Sequence, residues 1–238
     1  MPDQARVGVY YCPRQDDPLF TAGAAWLGRD PVSGAPMAQP DVPGIEEVTE
    51  DARGYGFHAT LKPPMRLASD HSWQAVLAAV DGLAGRIAPF ALPPLSVRDV
   101  HGFLALRETL ACAPLQALAD ACVGELDRFR APPSEAELAR RRRADLTAAQ
   151  DAMLTRWGYP YVFDAWFFHM TLTRRLAAHE HALWRLAAER FFAAPVAEPR
   201  MVRDVCLFTQ TGPGAAFVLA ERVALRGQRH RGRGHVRF

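Results

Sequence analysis

The chain has 238 residues, of which 49% are apolar and 23% are charged, an ordinary composition for a folded globular protein. Its 28 Lys and Arg residues nearly balance 26 Asp and Glu residues, and the formal net charge of +2 excludes a polycation that coats nucleic acid. No stretch approaches the ~18 apolar residues of a membrane span, and the polar start lacks the apolar core of a signal peptide. The four cysteines are scattered without the C-x2-C spacing of a metal knuckle, so we expect reduced thiols, a cytoplasmic location and no membrane partner.

The first predicted elements lead from a strand into a long loop. Residues 6–11 form a β-rich run that ends at Cys12-Pro13. Residues 18–27 favour a short helix. The Pro-, Gly- and Asp-rich residues 29–54 are predicted to form a loop, and its length indicates a functional or mobile segment. A second strand is predicted over residues 57–62 and is expected to end at Pro63-Pro64.

The remaining elements repeat the same order of strand, helix and hairpin. Apolar spacing of helical period and β-rich runs between turn residues define them. They are, in chain order, a helix over 70–87 behind a Ser69/Asp70 cap, two β-runs within 90–108 broken at His101-Gly102, helices over 115–129 and 134–157, a strand over 166–173, a helix over 180–192, and a hairpin over 200–226.

An internal repeat explains this order. The segment Phe57-His58-Ala59-Thr60-Leu61 matches Phe168-His169-Met170-Thr171-Leu172, and the tetrapeptide Val-Arg-Asp-Val follows each copy, about a hundred residues apart. We predict an α+β fold of two duplicated strand–helix–hairpin lobes with pseudo-two-fold symmetry. Two antiparallel sheets would flank a central cleft, with the helices outside. Residues 1–238 would form one bilobal domain, with lobes around 57–108 and 166–226 and a helical connector over 113–157.

Each repeated motif places polar side chains on one face of its strand. Residues i and i+2 of a strand share a face, so His58 lies beside Thr60 and His169 beside Thr171. Two such faces opposed across a cleft suit a phosphodiester. One neutral imidazole removes a proton from the attacking oxygen, and one protonated imidazole donates a proton to the leaving oxygen. The hydroxyls would bind the phosphate oxygens, and neither a metal nor another cofactor is required.

Two basic residues near the motifs are expected to add positive charge. Lys62, the only lysine of the chain, lies two residues beyond Thr60 and is predicted on the same face as a phosphate ligand. Arg174 follows the second motif and is a candidate for the same role in the other lobe. The run of four arginines over 140–143 is expected to form a solvated helix face.

The two motifs resemble those of the two-histidine (2H) phosphoesterase superfamily. The amino-acid sequences of residues 56–64 (Gly-Phe-His-Ala-Thr-Leu-Lys-Pro-Pro) and 168–173 (Phe-His-Met-Thr-Leu-Thr) are similar to those of a bacterial branch associated with phosphonate-metabolism genes. The resemblance covers nearly the whole chain. It implies that the two histidines are the acid/base pair and the two threonines the phosphate ligands. It also implies that Tyr10 or Tyr11 of the first strand lines the cleft.

Three functions follow as hypotheses. The first is a metal-independent phosphodiesterase acting on a small cyclic or linear phosphodiester, for which the branch suggests a cyclic ribose phosphate. The second is an enzyme of RNA ends that opens 2′,3′-cyclic phosphates, and it requires a basic groove, for which the arginines of 140–143 and the basic tail over 226–238 are candidates. The third is a non-catalytic protein that binds a phosphorylated ligand. Nothing in the sequence indicates the oligomeric state.

Overall fold

A computed structural model describes residues 5–142 and 146–227. The helices are α1 (Pro18–Leu27), α2 (Ile45–Val48), α3 (Glu50–Tyr55), α4 (Trp73–Arg86), α5 (Ala113–Leu126), α6 (Glu135–Arg142), α7 (Ala148–Trp157) and α8 (His181–Ala197). The strands are β1 (Arg6–Tyr11), β2 (Ala59–Arg66), β3 (Phe90–Leu92), β4 (Leu95–Val100), β5 (Phe103–Glu108), β6 (Met170–Thr171), β7 (Arg200–Val202), β8 (Asp204–Gln210) and β9 (Val218–Ala224). Within these described ranges, no helix is long and apolar enough to cross a membrane.

The strands form one large and one small antiparallel sheet. The large sheet has the order β4-β5-β6-β2-β1-β8-β9, and the small sheet pairs β3 with β7. The predicted α+β class with antiparallel sheets is confirmed, but the two motifs lie side by side in one sheet and not on two sheets opposed across a cleft. Both His-x-Thr segments belong to the larger sheet, where β2 and β6 are neighbours at its centre.

The order of elements repeats, as the sequence predicts. The series β2, α4, β3, β4, β5 is followed by the series β6, α8, β7, β8, β9. Equivalent strands also pair with each other, β2 with β6 and β3 with β7, which agrees with units related by an approximate two-fold axis. The symmetry is incomplete, because β5 lies directly beside β6, whereas its counterpart β9 lies at the sheet edge and is separated from β2 by β1 and β8. The assignment of residues 1–238 to one bilobal domain with a connector remains a prediction.

The repeated Val-Arg-Asp-Val tetrapeptides do not occupy equivalent places. The copy over 97–100 lies within β4, whereas the copy over 202–205 runs from the end of β7 into the start of β8. The two matching tetrapeptides are therefore not structurally equivalent. The order of helices and strands identifies equivalent residues better than this sequence match does.

Strand β2 continues through Pro63 and Pro64, where the sequence predicted its end. Val7 pairs with Met65 and Val9 pairs with Lys62, so the two prolines lie at an irregularity opposite a single residue of β1. Proline has no N–H to give to the ladder, and at a bulge none is required. The strand therefore reaches Arg66.

Other boundaries differ because tertiary packing decides them. The predicted loop over 29–54 contains the short helices α2 and α3. The predicted helix over 134–157 is two helices, since Thr147 and Gln150 form a capping box that begins α7 anew. Only Met170–Thr171 of the predicted strand over 166–173 pairs in the sheet, because a 3-10 turn at Phe163–Ala165 precedes it.

The two faces of the large sheet have different roles. Helix α5 packs on β2, α8 on β4 and α4 on β9, and the main apolar core lies between these helices and the sheet. Side chains such as Val9, Leu61 and Met170 belong to this core. The opposite face carries the histidines and threonines of both motifs together with a smaller aromatic cluster around Tyr10 and Phe208.

Candidate active site

The antiparallel pairing of β2 with β6 brings the two motifs together. Ala59 pairs with Met170 at the centre, and continuing this register places His58 opposite Thr171 and Thr60 opposite His169. All four polar side chains are half-buried, whereas Ala59 and Met170 between them are fully buried. Directly opposed side chains of such a pair have Cβ atoms roughly 5 Å apart. The four polar groups therefore form one small patch on one face of the sheet.

The ring of His58 is fixed from two sides. Its Nδ1 lies 2.8 Å from the Gly56 carbonyl oxygen and its Nε2 lies 3.2 Å from Thr60 Oγ1. A carbonyl oxygen only accepts, so in the neutral ring Nδ1 carries the proton and Nε2 carries the lone pair. The ring also stacks on Tyr10, with ring centroids 3.8 Å apart. Gly56 has φ of +79°, a conformation that favours glycine and aims this carbonyl at the imidazole.

His169 has the same tautomer in a different setting. Its Nδ1 lies 3.1 Å from the Phe167 carbonyl oxygen, so the neutral ring again presents an unprotonated Nε2. Its ring contacts Phe167 and Phe103, with centroids 4.8 Å and 5.9 Å away. In both histidines the carbonyl oxygen of the residue two positions earlier orients the ring, but the aromatic neighbours of the two rings differ.

Both histidines are held neutral near pH 7. Burial lowers the pKa of His58 to about 4, although the hydrogen bond to Gly56 favours the cation, and the positive charges of His169 and Arg29 lower it further. Burial also lowers the pKa of His169, with a contribution from the cation of Arg107. In the free protein each histidine is therefore ready to accept a proton.

The two tyrosines of β1 face opposite sides of the sheet. Tyr10 stacks on His58, and its ring lies over Gly8, where a Cβ atom would come within 2.5 Å of the ring. The Tyr10 hydroxyl is buried without a hydrogen-bond partner among the described residues. Tyr11 points to the core and packs on Phe168, with centroids 5.8 Å apart. Of the two cleft candidates, only Tyr10 lies beside a motif histidine.

The expected position of Lys62 is wrong. Thr60 pairs with Tyr10 but Lys62 pairs with Val9, so one extra residue of β2 lies between them and reverses the alternation. Lys62 therefore points to the core side, where its side chain is almost fully buried and its Nζ lies 3.2 Å from Asp127 Oδ1. It neutralises a carboxylate beneath the sheet and does not face the histidines.

The expected position of Arg174 is also wrong. Its guanidinium pairs with Glu47 at 2.8 Å and with Glu180 at 3.1 Å, which ties the second motif to α2 and the start of α8. The next residue, Arg175, donates instead to the His101 carbonyl and lines a cavity beside His169. The basic residue on the cleft side is thus one position later than the pattern indicated.

A cavity of about 210 Å³ opens beside His169 and Thr60. Aromatic side chains make up much of its wall: Phe103, Tyr159, Tyr161, Trp166 and Phe167. Trp166 is anchored by its Nε1, which donates to the Thr60 carbonyl oxygen at 2.8 Å. The sequence analysis missed these aromatic residues, because most of them lie in the irregular segment between α7 and β6.

The arginine run of α6 reaches toward this cavity. The guanidinium of Arg141 lies over the Tyr159 ring, 5.0 Å from its centroid, and Arg141 is half-buried. The expectation of a wholly solvated face is therefore wrong for Arg141, while it holds for the exposed Arg140. Arg143 and most of the basic tail, residues 228–238, lie outside the described residues.

Two further arginines lie near the histidines, and the sequence analysis did not single them out. Arg29 is buried and donates to the carbonyl oxygens of Arg53 and Phe217, each at 2.8 Å. Arg107, at the end of β5, lies over the Phe167 ring at 4.8 Å. The alternation of β5 could have placed Arg107 on the face of Phe103, but its strand neighbour was not evident from the sequence.

Comparisons with known proteins give a family and two curated relatives. A family model described as "Protein of unknown function (DUF1045)" matches residues 60–218. A protein of Janthinobacterium sp. (strain Marseille) is 40% identical over 235 residues, and one of Laribacter hongkongensis (strain HLHK9) is 36% identical over 223 residues. Both are named ribose 1,5-bisphosphate phosphokinase PhnN. The matches cover 95% and 92% of this chain, but the chain spans about half (52%) of the length of each relative.

Two solved structures show a weak similarity to this chain. One is a phosphoesterase with a TM-score of 0.43 and 14% identity, covering 93% of this chain and 98% of that one. Another is Escherichia coli LigT in complex with NADP+, with a TM-score of 0.43 and 13% identity, covering 94% of this chain and 99% of that one.

Proposed function

We propose that this chain, which belongs to the DUF1045 family, is a phosphoester-acting enzyme that hydrolyses a phosphodiester with two histidines and no metal. The observation that carries the proposal is the antiparallel pairing of the two motifs, which sets each histidine opposite the threonine of the other. A phosphorus atom above this patch would have an imidazole on either side and a hydroxyl beside each imidazole. General acid–base catalysis needs this arrangement of two proton carriers around one reacting centre.

The geometry supports a simple sequence of proton transfers. The unprotonated Nε2 of one histidine accepts a proton from water as the water oxygen forms a bond to phosphorus. The protonated Nε2 of the other histidine gives its proton to the ester oxygen as the P–O bond breaks. Thr171 donates a hydrogen bond to a non-bridging oxygen, and Thr60 does the same once its hydroxyl turns from His58 Nε2 to the substrate. One water is consumed, and a monoester and a hydroxyl group are formed.

We assign His58 as the base and His169 as the acid. The pKa of His58 is lowered to about 4, so His58 is the more firmly neutral ring and is available to accept a proton. His169 is also neutral in the free protein, and the negative charge of a bound phosphodiester would favour its protonation. In this scheme substrate binding promotes the protonation of His169, which then acts as the acid.

The proposed substrate class is a cyclic ribose phosphate. Opening a cyclic phosphodiester on a ribose phosphate gives a ribose bisphosphate, and the curated relatives are named for a kinase of ribose 1,5-bisphosphate. A second candidate is an RNA end with a 2′,3′-cyclic phosphate. Arg141 on Tyr159 supports that alternative, because it adds a cation and an aromatic surface near the cavity.

A substrate panel tests the proposal. Purified protein in EDTA would be given ribose cyclic phosphates, nucleoside 2′,3′-cyclic phosphates and an aromatic phosphodiester. We expect turnover of at least one, with the highest kcat/KM for a ribose cyclic phosphate. A preference for nucleoside cyclic phosphates would support the RNA alternative. Complete inactivity, combined with tight binding of a phosphorylated sugar, would support the non-catalytic hypothesis.

The pH dependence of kcat/KM is expected to peak on the acid side of neutrality. The base must be unprotonated, so activity rises as the pH passes the His58 pKa of about 4. The acid must be protonated, so activity falls as the pH passes the pKa of His169, which lies below its usual value near 6.5. We therefore expect the maximum of kcat/KM below pH 6.5, and the maximum of kcat at higher pH, because bound phosphate raises both pKa values. A kcat/KM maximum above pH 7.5 would contradict this account of the free protein.

A further inference from the structure

Arg107 lies beside His169 on the face of the sheet that carries both motifs. Ala105 of β5 pairs with Thr171 of β6, and Leu106 pairs with Met170. Continuing this register brings Arg107 level with His169, on the side of His169 that is away from Thr60. The 5.9 Å separation of the Phe103 and His169 ring centroids agrees with this shared face.

The guanidinium of Arg107 is fixed in place but keeps unused donors. It lies over the ring of Phe167, 4.8 Å from the centroid. Its Nε is buried and has no hydrogen-bond partner among the described residues. Its Nη2 lies 3.8 Å from Glu108 Oε1, an ion-pair distance that is too long for a good hydrogen bond. The side chain is 34% exposed, so a ligand can reach it.

The other cations around the motifs are at least partly occupied. Lys62 pairs with Asp127, and Arg174 pairs with two glutamates. Arg29 gives its Nε and Nη2 to backbone carbonyls, while its Nη1 is buried without a partner among the described residues. Arg175 donates to the His101 carbonyl. Arg107 is distinguished by its position, since it lies level with His169 on the motif face and its Nε has no hydrogen-bond partner among the described residues.

The position of Arg107 also decides which part of a substrate it can meet. The patch of two histidines and two threonines is centred between β2 and β6, and Arg107 is one strand further out. Its guanidinium lies over Phe167, two residues before His169 and away from Thr171. A phosphodiester centred on the patch would therefore leave Arg107 facing a substituent beyond the reacting phosphorus, on the His169 side.

We propose that Arg107 is a specificity-determining residue that binds a second anionic group of the substrate, a phosphate monoester next to the phosphodiester. The inference rests on the proposed function and narrows its substrate to a doubly phosphorylated compound. It also accounts for a cation placed beside the acid. The Arg107 charge lowers the pKa of His169 in the free protein, and an anion bound to Arg107 would cancel that charge and let His169 take up its proton.

The test compares two substrates that differ in one group. A ribose cyclic phosphate would be assayed with and without a second phosphate on its primary hydroxyl, using wild type, Arg107→Gln and Arg107→Lys. The readout is the ratio of the two kcat/KM values. We expect wild type to prefer the doubly phosphorylated substrate by about 10- to 100-fold, the range for hydrogen bonds to a charged group. Arg107→Gln should bring the ratio close to one, and Arg107→Lys should give an intermediate ratio.

Arg128→Gln is the matched control. Arg128 also lies over a phenylalanine ring, that of Phe129 at 4.8 Å, but it is exposed and lies on the segment that follows α5. Its substitution should leave the ratio at the wild-type value. Equal loss on both substrates in Arg107→Gln, or a wild-type ratio near one, would overturn the role of Arg107 while the proposed function stands. Failure of wild type to hydrolyse either substrate, or any compound of the wider panel, would overturn both.

Discussion

Replacing His58 or His169 by alanine is expected to lower kcat/KM by about 10²–10⁴-fold, the contribution of a positioned general acid or base. Each variant removes one of the two proton carriers on the shared patch, and the remaining histidine cannot both accept and donate in one step. The measurement is steady-state kinetics in EDTA on the best substrate of the panel. The kcat/KM of the double variant should be little lower than that of the less active single variant, because the two groups act as a unit.

His71→Ala is the control for this experiment. His71 lies against the edge of the Phe129 ring, 4.9 Å between centroids, outside the motif patch. Its removal should leave kcat/KM within about threefold of wild type, since a surface substitution away from a special feature has a small effect. Retention of full activity by both motif variants, with thermal unfolding unchanged, would disprove the two-histidine mechanism.

Replacing Asp127 by alanine is expected to lower the free energy of unfolding by about 3–5 kcal/mol, the cost of breaking a buried ion pair by removing one partner. Asp127 accepts from Lys62 Nζ at 3.2 Å and from Arg130 Nε at 2.7 Å. Its loss leaves the ammonium of Lys62 buried and unpaired, and burial already lowers the pKa of that group. Urea unfolding of wild type and variant measures the difference.

Lys62→Met separates this structural role from the phosphate role expected from the sequence. Methionine fills a similar volume, and Asp127 keeps its pair with Arg130, so the protein should fold. Because Lys62 lies on the core side of β2, we expect kcat/KM to stay within about threefold of wild type. A loss of two orders of magnitude with unchanged stability would show that Lys62 reaches the substrate after all.

The part of the site that local pattern determines could be predicted from the sequence. The alternation of His58, Ala59 and Thr60 fixes which side chains share a face, and the structure has that alternation in both motifs. The duplicated order of elements was also visible, because each unit repeats its own apolar pattern. Strand β1 and helix α1 have the predicted bounds, since Pro13 and Gly28 limit them locally.

The errors arose where a distant partner decides the local outcome. An irregular register between β1 and β2 turns Lys62 to the core, and no feature of residues 57–66 alone indicates that register. Arg174 is drawn away by Glu47, which is distant in sequence and lies in a helix that the composition of residues 29–54 concealed. Arg107 lies beside His169 only because β5 is the neighbour of β6. Strand neighbours are a property of the tertiary fold, and the period of a strand does not specify them.

The pairing of β2 with β6 has a consequence for how such a site can arise. A strand that carries one histidine and one threonine, paired antiparallel with a copy of itself, forms the whole four-residue patch, so a symmetric dimer of a half-length chain would already possess it. In such a dimer the two imidazoles would be identical. With both copies in one chain, each ring can acquire its own surroundings: Tyr10 stacks on His58, whereas Phe103, Phe167 and Arg107 surround His169. Duplication thereby lets two equivalent imidazoles acquire different pKa values, which the proposed roles of base and acid require.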